Sequence, residues 1–274
     1  MKAQDRFSLG GKVAMVTGAA GVLGSAICRA LAAQGVRLAV SDVRPEPVRA
    51  LAEELTRLGA ESLPLTGSVL DKEALEKDCS AVLKRFGRVD LLLNYAGGNN
   101  PKATVSPELS FFDIPKEALE ACMSLNLSGT LLPCQVFGKA MAEQKEGVIL
   151  NVASMSAFRP LTRVLAYSAA KAAVCNFTQW LAVHLAQQYS PRLRVNAIAP
   201  GFFLTDQNRY LLVDKETGRR TARGEQILAH TPMGRYGEPD DLTGTILWLL
   251  SPASAFVTGV VVPVDGGFSA FSGV

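Results

Sequence analysis

The sequence predicts an α/β protein in which a doubly wound parallel sheet carries helices on both faces. Short apolar runs alternate with amphipathic helical stretches along the chain. This alternation favours a parallel sheet, because each strand is followed by a helix that can cross back over the sheet. A glycine-rich turn at residues 18–24 joins the first apolar run to the first helical stretch. Since such turns bring the backbone close to phosphate groups, we expect the sheet to bind a nucleotide.

Length, charge and composition narrow the class of protein. The 274 residues are enough for one large α/β domain, and we expect a single domain over residues 1–274. The net charge of +3 comes from dispersed Lys and Arg, which gives no indication of a nucleic-acid partner. No apolar run approaches the ~20 residues of a membrane span, and residues 1–11 lack a signal-peptide core. Five cysteines without CxxC spacing fit reduced thiols, so we expect a cytoplasmic protein without a metal site.

The first half of the chain contains four predicted strands and three predicted helices. The strands are short, mainly apolar runs at residues 12–17, 36–41, 61–65 and 89–93. The helices between them are predicted at residues 23–34, 46–58 and 71–86. Gly35 and Gly59 end the first two helices, and Asp71 fits the N-cap of the third.

The second half continues the alternation but includes two long polar segments. Helices are predicted at residues 115–143, 165–189 and 240–250, and strands at residues 147–153, 192–198 and 257–264. The polar segments are residues 95–114 and 202–238, and the second of them has weak periodicity. Because connections of this length are usually functional, we expect both segments to cover a substrate.

The glycine turn provides the first half of a dinucleotide site. Gly18, Gly21 and Gly24 allow the backbone to approach a pyrophosphate closely. Val22 precedes and Leu23 begins the following predicted helix, whose N-terminal N–H groups and positive dipole end attract the same anion.

Asp42 provides the second half of that site, because it ends the second predicted strand. A carboxylate at this point can bond the hydroxyls of an adenosine ribose and would repel a 2′-phosphate. We therefore predict NAD as the cofactor and NADP as the less favoured one. Arg44 could reach a phosphate and argues the other way, and Asp42 also fits a turn or a helix cap.

A proton-transfer device is predicted around Tyr167 and Lys171, which lie four residues apart in a predicted helix. A free Tyr titrates near pH 10, and a neighbouring ammonium lowers that pKa. Ser154 ends a predicted strand and can donate a hydrogen bond to a reacting oxygen. The alternatives are an ordinary helix face for the pair and a capping role for the serine. Asn126 lies within a predicted helix, where it is either functional or a buried amide bonding a carbonyl.

In this order and spacing, the chain resembles the short-chain dehydrogenase/reductase family over essentially its whole length. The motifs that carry the resemblance are Thr17-Gly18 to Gly24, Asp42, Asn94-Tyr95-Ala96-Gly97, Asn126, Ser154, Tyr167 with Lys171, Asn196 to Pro200-Gly201 with Thr205, and Asp265-Gly266-Gly267. The resemblance implies a Rossmann-type fold, an NAD-dependent enzyme acting on CH–OH groups, and a homotetramer or homodimer. Val22, Tyr95 and Ser68 depart from the family pattern, where Gly, Asn and Asp are usual.

The resemblance also implies individual roles. Tyr167 would be the general acid/base, Ser154 would bond the reacting oxygen, and Lys171 would lower the Tyr167 pKa and hold the nicotinamide ribose. Asn126 would anchor a water that relays protons. The cofactor would contact Gly18, Gly21, Val22, Leu23, Gly24, Asp42, Ser68, Val69, Asn94, Ala96, Gly97, Tyr167, Lys171, Pro200, Gly201, Phe203 and Thr205.

The substrate is predicted from a narrower resemblance and from the distribution of cations. Residues 96–102, 129–133, 200–205 and 263–274 resemble the D-mannonate oxidoreductase (fructuronate reductase) branch, which implies conversion between D-fructuronate and D-mannonate. The candidate substrate residues are Ser154, Ser156, Asn99, Lys102, Arg159, Arg163 and Arg209, with Arg163 favoured to bind a carboxylate. Each cation also fits a solvated surface charge. A polyol, a gluconate-type keto acid or a cyclic alcohol remains an alternative substrate, and a non-catalytic dinucleotide-binding protein remains an alternative function.

Overall fold

The computed structural model describes residues 3–205, 212–215 and 217–273. Within these residues, a seven-stranded sheet has the order β3-β2-β1-β4-β5-β6-β7, and all of its neighbouring strands are parallel. The strands are β1 (Val13–Thr17), β2 (Arg37–Ser41), β3 (Ser62–Leu65), β4 (Leu91–Asn94), β5 (Gly147–Val152), β6 (Leu193–Pro200) and β7 (Val261–Val264). The predicted doubly wound, Rossmann-type fold is confirmed.

Helices cover both faces of this sheet. They are α1 (Val22–Ala33), α2 (Pro45–Arg57), α3 (Lys72–Phe86), α4 (Lys116–Met123), α5 (Gly129–Gln144), α6 (Leu165–Gln188), α7 (Ala222–Ala229) and α8 (Thr243–Leu250). Among the described helices, none combines the length and hydropathy needed to cross a membrane.

Strand β1 shows how the sequence divides the core between two faces. All five of its residues are buried, and successive side chains of a strand point to opposite faces. Ala14 and Val16 join the cluster that contains buried residues of α1, α2 and α8. Val13 and Met15 join the cluster that contains buried residues of α3, α5 and α6. A strand buried on both faces has no need of polar alternation, which explains its continuous apolar run.

The structure corrects the helix predicted at residues 115–143. It consists of α4, a π-helical turn at Ser124–Ser128, and α5. The Asn126 side chain donates to the Cys122 carbonyl oxygen at 2.9 Å, four residues back. Such a bond competes with the backbone for that carbonyl, which accounts for the local widening of the helix.

The last strand is also shorter than predicted. The sequence predicts residues 257–264, whereas β7 begins at Val261. Gly259 has a φ of +78°, a left-handed conformation that takes the chain out of the extended region before the strand begins. The five cysteines are free thiols, as their spacing predicts.

Candidate active site

A cleft of about 480 Å³ lies beyond the carboxyl ends of the strands. It opens where the strand order reverses, since both β2 and β4 flank β1. Ligands of open α/β sheets bind at this kind of switch point. Twelve of the predicted cofactor residues line the cleft, namely Gly18, Gly21, Val22, Leu23, Gly24, Asp42, Val69, Ala96, Gly97, Tyr167, Lys171 and Thr205.

The glycine turn forms one wall of the cleft and is tightly packed. Gly18 has a φ of +61°, and a Cβ placed there would lie 2.7 Å from the Ala96 backbone nitrogen. The turn closes through a 3.2 Å hydrogen bond from the Gly21 N–H to the Gly18 carbonyl. Helix α1 then starts at Val22, and none of the described side chains caps it. A helix start of this kind offers N–H groups to an anion, so the valine departure leaves the expected phosphate cradle in place.

Asp42 forms the far end of the cleft, and Arg44 is bound to it. The carboxylate is 7% exposed. Its two oxygens accept hydrogen bonds from the Arg44 Nε at 2.8 Å and Nη2 at 2.9 Å. Burial acts to raise the Asp42 pKa, but the hydrogen bonds and the charge of Arg44 outweigh it and lower the pKa. Asp42 therefore places a charged acceptor beside the cleft. Arg44, the cation that could bind a phosphate, is hydrogen-bonded to that carboxylate.

Ser154 and Tyr167 lie at the boundary between this cleft and a second pocket of about 210 Å³. Tyr167 lines both spaces, and Ser154 lines the second one, close enough to the Tyr167 hydroxyl to lower its pKa. Lys171 lines the cleft, and its Nζ donates to the Val152 carbonyl oxygen at 2.7 Å. The ammonium lies 5.6 Å from the centroid of the Tyr167 ring. The predicted pairing of phenol and ammonium on one helix face is thus present.

The charge states of this pair differ from the simple expectation. Burial raises the Tyr167 pKa, and the hydrogen bond from Ser154 offsets only part of that rise. Burial also lowers the Lys171 pKa to about 8. Both shifts have the same cause, since desolvation disfavours whichever form of a group is charged. In the protein without a ligand, desolvation therefore exceeds any effect of the ammonium on the phenol.

Asn126 is fully buried and acts as a clamp on the loop after β4. Its Oδ1 accepts from the Gly98 N–H at 3.1 Å, and its Nδ2 donates to the Gly98 carbonyl at 2.7 Å. A Cβ at Gly97 would lie 2.9 Å from the Asn126 Oδ1 and 3.3 Å from the Lys171 Nζ. The structure therefore contains a buried amide bonded to carbonyl groups, and this clamp holds the cleft wall at Gly97 and Gly98.

Five predicted cofactor residues lie elsewhere. Asn94 is 1% exposed and donates to the Asn151 Oδ1 at 2.9 Å, beneath the cleft. The Ser68 hydroxyl accepts from the Leu70 N–H at 3.2 Å, while its neighbours Gly67 and Val69 line the cleft. Pro200, Gly201 and Phe203 line the second pocket.

Some of the predicted substrate residues line the second pocket, and others lie outside it. Asn99 lines the second pocket with Ser154. The Ser156 hydroxyl does not line that pocket, and it is buried without a partner in the described part of the chain. Lys102 is exposed and lines neither space, and the Arg159 Nε donates to the Ser269 carbonyl at 3.2 Å. Arg209 lies outside the described residues.

Arg223, which the sequence analysis did not single out, lines the second pocket. It occupies the second position of α7, which Thr221 caps through a 3.0 Å bond from the Gly224 N–H. Burial lowers the Arg223 pKa, and repulsion from the nearby charge of Arg163 lowers it further. The sequence carries a weak signal for this residue, a capping threonine two positions before it. Only the tertiary fold distinguishes Arg223 from Arg219 and Arg220, which lie a few residues before it.

A parallel sheet with a nucleotide-sized cleft at its switch point and a Ser–Tyr–Lys group beside it defines an oxidoreductase of the Rossmann type. A family model described as enoyl-(acyl carrier protein) reductase matches residues 18–269. The chain belongs to the short-chain dehydrogenase/reductase family, as its motifs predict, and is an oxidoreductase acting on CH–OH groups.

Its relatives extend over nearly the whole chain. An uncharacterized oxidoreductase, UxuB, from Bacillus subtilis is 47% identical over 276 residues, which covers 97% of this chain and 98% of that protein. A crystal structure from Haemophilus influenzae, provisionally described as a D-mannonate oxidoreductase with bound NAD, is 44% identical. It superposes with a TM-score of 0.91 and covers 97% of this chain and 98% of its own. D-threitol dehydrogenase from Mycolicibacterium smegmatis is 35% identical over 268 residues, covering 96% of this chain and 95% of that protein.

Proposed function

We propose that this protein is an NAD(H)-dependent oxidoreductase that interconverts a sugar-acid ketone and its alcohol, with D-fructuronate and D-mannonate as the pair. The observation that carries the proposal is the second pocket, which joins the Ser154–Tyr167 pair to the half-buried cation of Arg223. The first two groups suit a carbonyl or hydroxyl oxygen, and the third suits a carboxylate. The NAD in the Haemophilus relative and its provisional description support the choice of cofactor and substrate.

The residues that line the cleft fit a dinucleotide. The uncapped start of α1 would hold the pyrophosphate, and Asp42 would accept from the adenosine ribose hydroxyls once Arg44 yields one of its bonds. The buried charge of Asp42 favours NAD over NADP, since it would repel a 2′-phosphate. When bound, the cofactor supplies the hydride acceptor or donor of the reaction.

The protein's own groups handle the proton and the developing charge. As a ketone is reduced, negative charge develops on its oxygen, and the hydroxyls of Ser154 and Tyr167 would donate hydrogen bonds to it. Tyr167 would give up its proton to that oxygen and take one back in the oxidation direction. Lys171 would stabilise the resulting phenolate and bind the nicotinamide ribose. Asn126 would hold the loop at Gly98 in register and, by the family resemblance, anchor a water that relays protons.

We also propose that the whole chain acts as one domain whose segments 95–114 and 202–238 cover the substrate. Asn99 from the first segment and Phe202, Leu212 and Arg223 from the second line the same pocket, which supports this arrangement. The family resemblance further suggests a homodimer or homotetramer. Sedimentation velocity tests that assembly, because a mass near the 29.1 kDa of one chain would contradict it.

A substrate comparison tests the proposed function. Purified protein with NADH is expected to reduce D-fructuronate, and with NAD to oxidise D-mannonate, each followed by absorbance of NADH. Neutral analogues of the same length, such as D-mannitol, are expected to react with a kcat/KM at least about tenfold lower, because they lack the charge that pairs with a guanidinium. Efficient turnover of D-mannitol with none of D-mannonate would overturn the assignment.

A second candidate is a small cyclic alcohol, and the pocket wall favours it. Leu161, Val164, Leu212 and Phe202 give that wall an apolar character. The cyclohexanol dehydrogenase of Rhodococcus, 33% identical over 281 residues, shares the family and nearly the whole length. Including cyclohexanol in the same comparison separates the two candidates, because an anion-binding pocket gives this uncharged alcohol no advantage.

A further inference from the structure

Arg223 and Arg163 form a pair of cations with no acidic partner in the described part of the chain. Their charges repel, and burial adds to the cost of the Arg223 charge. Neither side chain takes part in an ion pair within residues 3–205, 212–215 and 217–273. Among the described residues that line the second pocket, Arg223 is the one charged side chain. A half-buried cation that also lies near a like charge is stabilised when an anion binds beside it.

The position of Arg223 is fixed by the start of α7. Thr221 caps the helix, and the Tyr236 hydroxyl donates to the Gly224 carbonyl at 3.1 Å. Gly224 is buried, and a Cβ there would collide with the Leu212 carbonyl and lie 2.8 Å from the Tyr236 hydroxyl. The residue before Gly224 therefore enters the pocket from a backbone that is held at several points. A fixed base reduces the entropy lost when a long side chain binds a ligand.

Asn99 gives the same pocket an unused hydrogen-bond acceptor. The Thr104 hydroxyl donates to the Asn100 carbonyl at 2.8 Å, so its remaining lone pairs can accept from the Asn99 Nδ2, also at 2.8 Å. This chain of bonds fixes the orientation of the carboxamide. Its Oδ1 is buried and has no hydrogen-bond partner among the described residues. Buried acceptors are almost always satisfied, so a ligand hydroxyl is its natural partner.

We propose that Arg223, assisted by the charge of Arg163, binds the carboxylate of the substrate, and that the Asn99 Oδ1 accepts from one of its hydroxyl groups. Together they select a hydroxy acid over a neutral alcohol of the same size. The pocket volume of about 210 Å³ agrees with a small ligand, since it is below the ~300 Å³ at which sites for drug-sized molecules begin. The inference rests on the proposed oxidoreductase function and adds its specificity determinant.

The test compares Arg223→Gln, Arg223→Lys and the control Arg220→Gln. Arg220 is half exposed, lies in the same segment and faces Glu225 at 3.7 Å. Arg223→Gln is expected to raise the KM for D-mannonate about 10- to 100-fold with kcat within about threefold, and to change kcat/KM for D-mannitol by a much smaller factor of about threefold or less. The lysine variant should be intermediate, because it keeps the charge but loses the planar fork. The control should match the unmodified protein in all three quantities.

Inhibition by D-gluconate separates failure of this inference from failure of the proposed function. The inhibition constant should rise with Arg223→Gln by a factor similar to that for the KM, whichever alcohol the enzyme oxidises. If the protein oxidises only neutral alcohols yet D-gluconate inhibits it through Arg223, the anion site stands and the proposed substrate is wrong. If D-mannonate is oxidised with an unchanged KM and inhibition constant in Arg223→Gln, the inference is wrong and the proposed function stands. If the protein neither oxidises D-mannonate nor is inhibited by D-gluconate, both the inference and the proposed function are wrong.

A thermal-unfolding measurement excludes a purely structural role for Arg223. Because Arg163 and Arg223 repel in the ligand-free protein, Arg223→Gln should leave the midpoint unchanged or raise it. D-gluconate should then raise the midpoint of the unmodified protein but not that of the variant. A midpoint that falls by several degrees, together with equal losses of activity on D-mannonate and D-mannitol, would show that the arginine acts through the fold.

Discussion

At the scale of single residues, the site depends on ionisable groups whose burial destabilises their charged form. Asp42, Lys171 and Arg223 are each removed partly or wholly from water, and burial opposes ionisation in all three. Asp42 is the one whose charge is secured within the protein, by Arg44. The other two have their charge opposed by their surroundings. Charged or polar ligand groups are the natural compensation, which links these residues to binding and gives two predictions.

Asp42→Ala is expected to relax the preference for NAD. The substitution removes the ribose acceptor and releases Arg44, which can then reach a 2′-phosphate. The ratio of kcat/KM for NAD to that for NADP should fall about 10- to 100-fold, as loss of one charged hydrogen-bonding group implies. Arg44→Gln is the matched control and should keep the NAD preference. An unchanged ratio in Asp42→Ala would contradict the assigned role of the carboxylate.

Lys171→Met is expected to stabilise the ligand-free protein at pH 7 while abolishing activity. Burial lowers the Lys171 pKa from 10.5 to about 8, so the unfolded chain binds this proton more tightly than the folded protein does. The destabilisation caused by the buried Lys171 charge is complete below pH 8 and disappears as the pH rises to about 10.5. The unfolding free energy of the unmodified protein should therefore increase over that window. The variant lacks this destabilisation at every pH. Its advantage should be on the order of 1–3 kcal/mol at pH 7, less the lost bond to Val152.

Urea unfolding at pH 7 and pH 10 measures the effect of Lys171→Met. The difference in unfolding free energy between variant and unmodified protein should shrink at the higher pH. Lys139 is exposed on α5, and Lys139→Met should stay within about 0.5 kcal/mol at both values. A Lys171 variant that is less stable at pH 7, with no dependence on pH, would show that its hydrogen bond outweighs its desolvation.

At the scale of secondary-structure elements, the site is assembled by loops that contact each other directly. The turn after β1 packs against the loop after β4 at Gly18 and Ala96. That loop is then clamped by Asn126 from the π-helical turn between α4 and α5. Each contact leaves no room for a further side-chain atom at Gly18 or Gly97. Closely packed loops of this kind hold a cleft in shape before the ligand arrives, which reduces the cost of binding.

Gly18→Ala and Gly21→Ala compare two glycines of one turn, of which Gly18 has no room for a Cβ and Gly21 has room for one. A Cβ at Gly18 meets backbone atoms of Tyr95 and Ala96 within 2.8 Å, and the φ of +61° is unfavourable for alanine. We expect this change to lower the unfolding free energy by more than ~2 kcal/mol and to weaken NADH binding at least tenfold.

Gly21 is the matched position in the same turn. Its φ is −75°, and the nearest atom to an added Cβ is 3.4 Å away. Loss of a glycine N-cap to alanine should therefore cost under about 1 kcal/mol. Fluorescence titration with NADH and urea unfolding measure both quantities. Equal effects of the two substitutions would contradict the packing argument.

At the scale of the whole molecule, the sequence predicts those features that depend on local patterns of residues. It does not predict those that depend on contacts between distant parts of the chain. The alternation of strands and helices defines the sheet, and the spacing of Tyr167 and Lys171 places them on one helix face. The side-chain direction of Asn94 depends on its bond to Asn151, which is distant in sequence, so its burial beneath the cleft was not predictable. Arg223 enters the pocket because Leu212 and Tyr236 hold the start of α7. The π-helical turn accompanies the bond of Asn126 to the Cys122 carbonyl, and the same side chain is held by Gly98, 28 residues away, which the local pattern does not show.

The Tyr167 hydroxyl lies at the junction of the cleft and the second pocket, and we propose that it transfers the proton. The most direct measurement is kcat for Tyr167→Phe together with the dissociation constant for NADH. Tyr95→Phe is the matched control, because its hydroxyl is buried without a partner among the described residues. We predict that Tyr167→Phe lowers kcat at least about 100-fold with NADH affinity within about threefold, while Tyr95→Phe keeps kcat. An unchanged kcat in Tyr167→Phe would contradict the account.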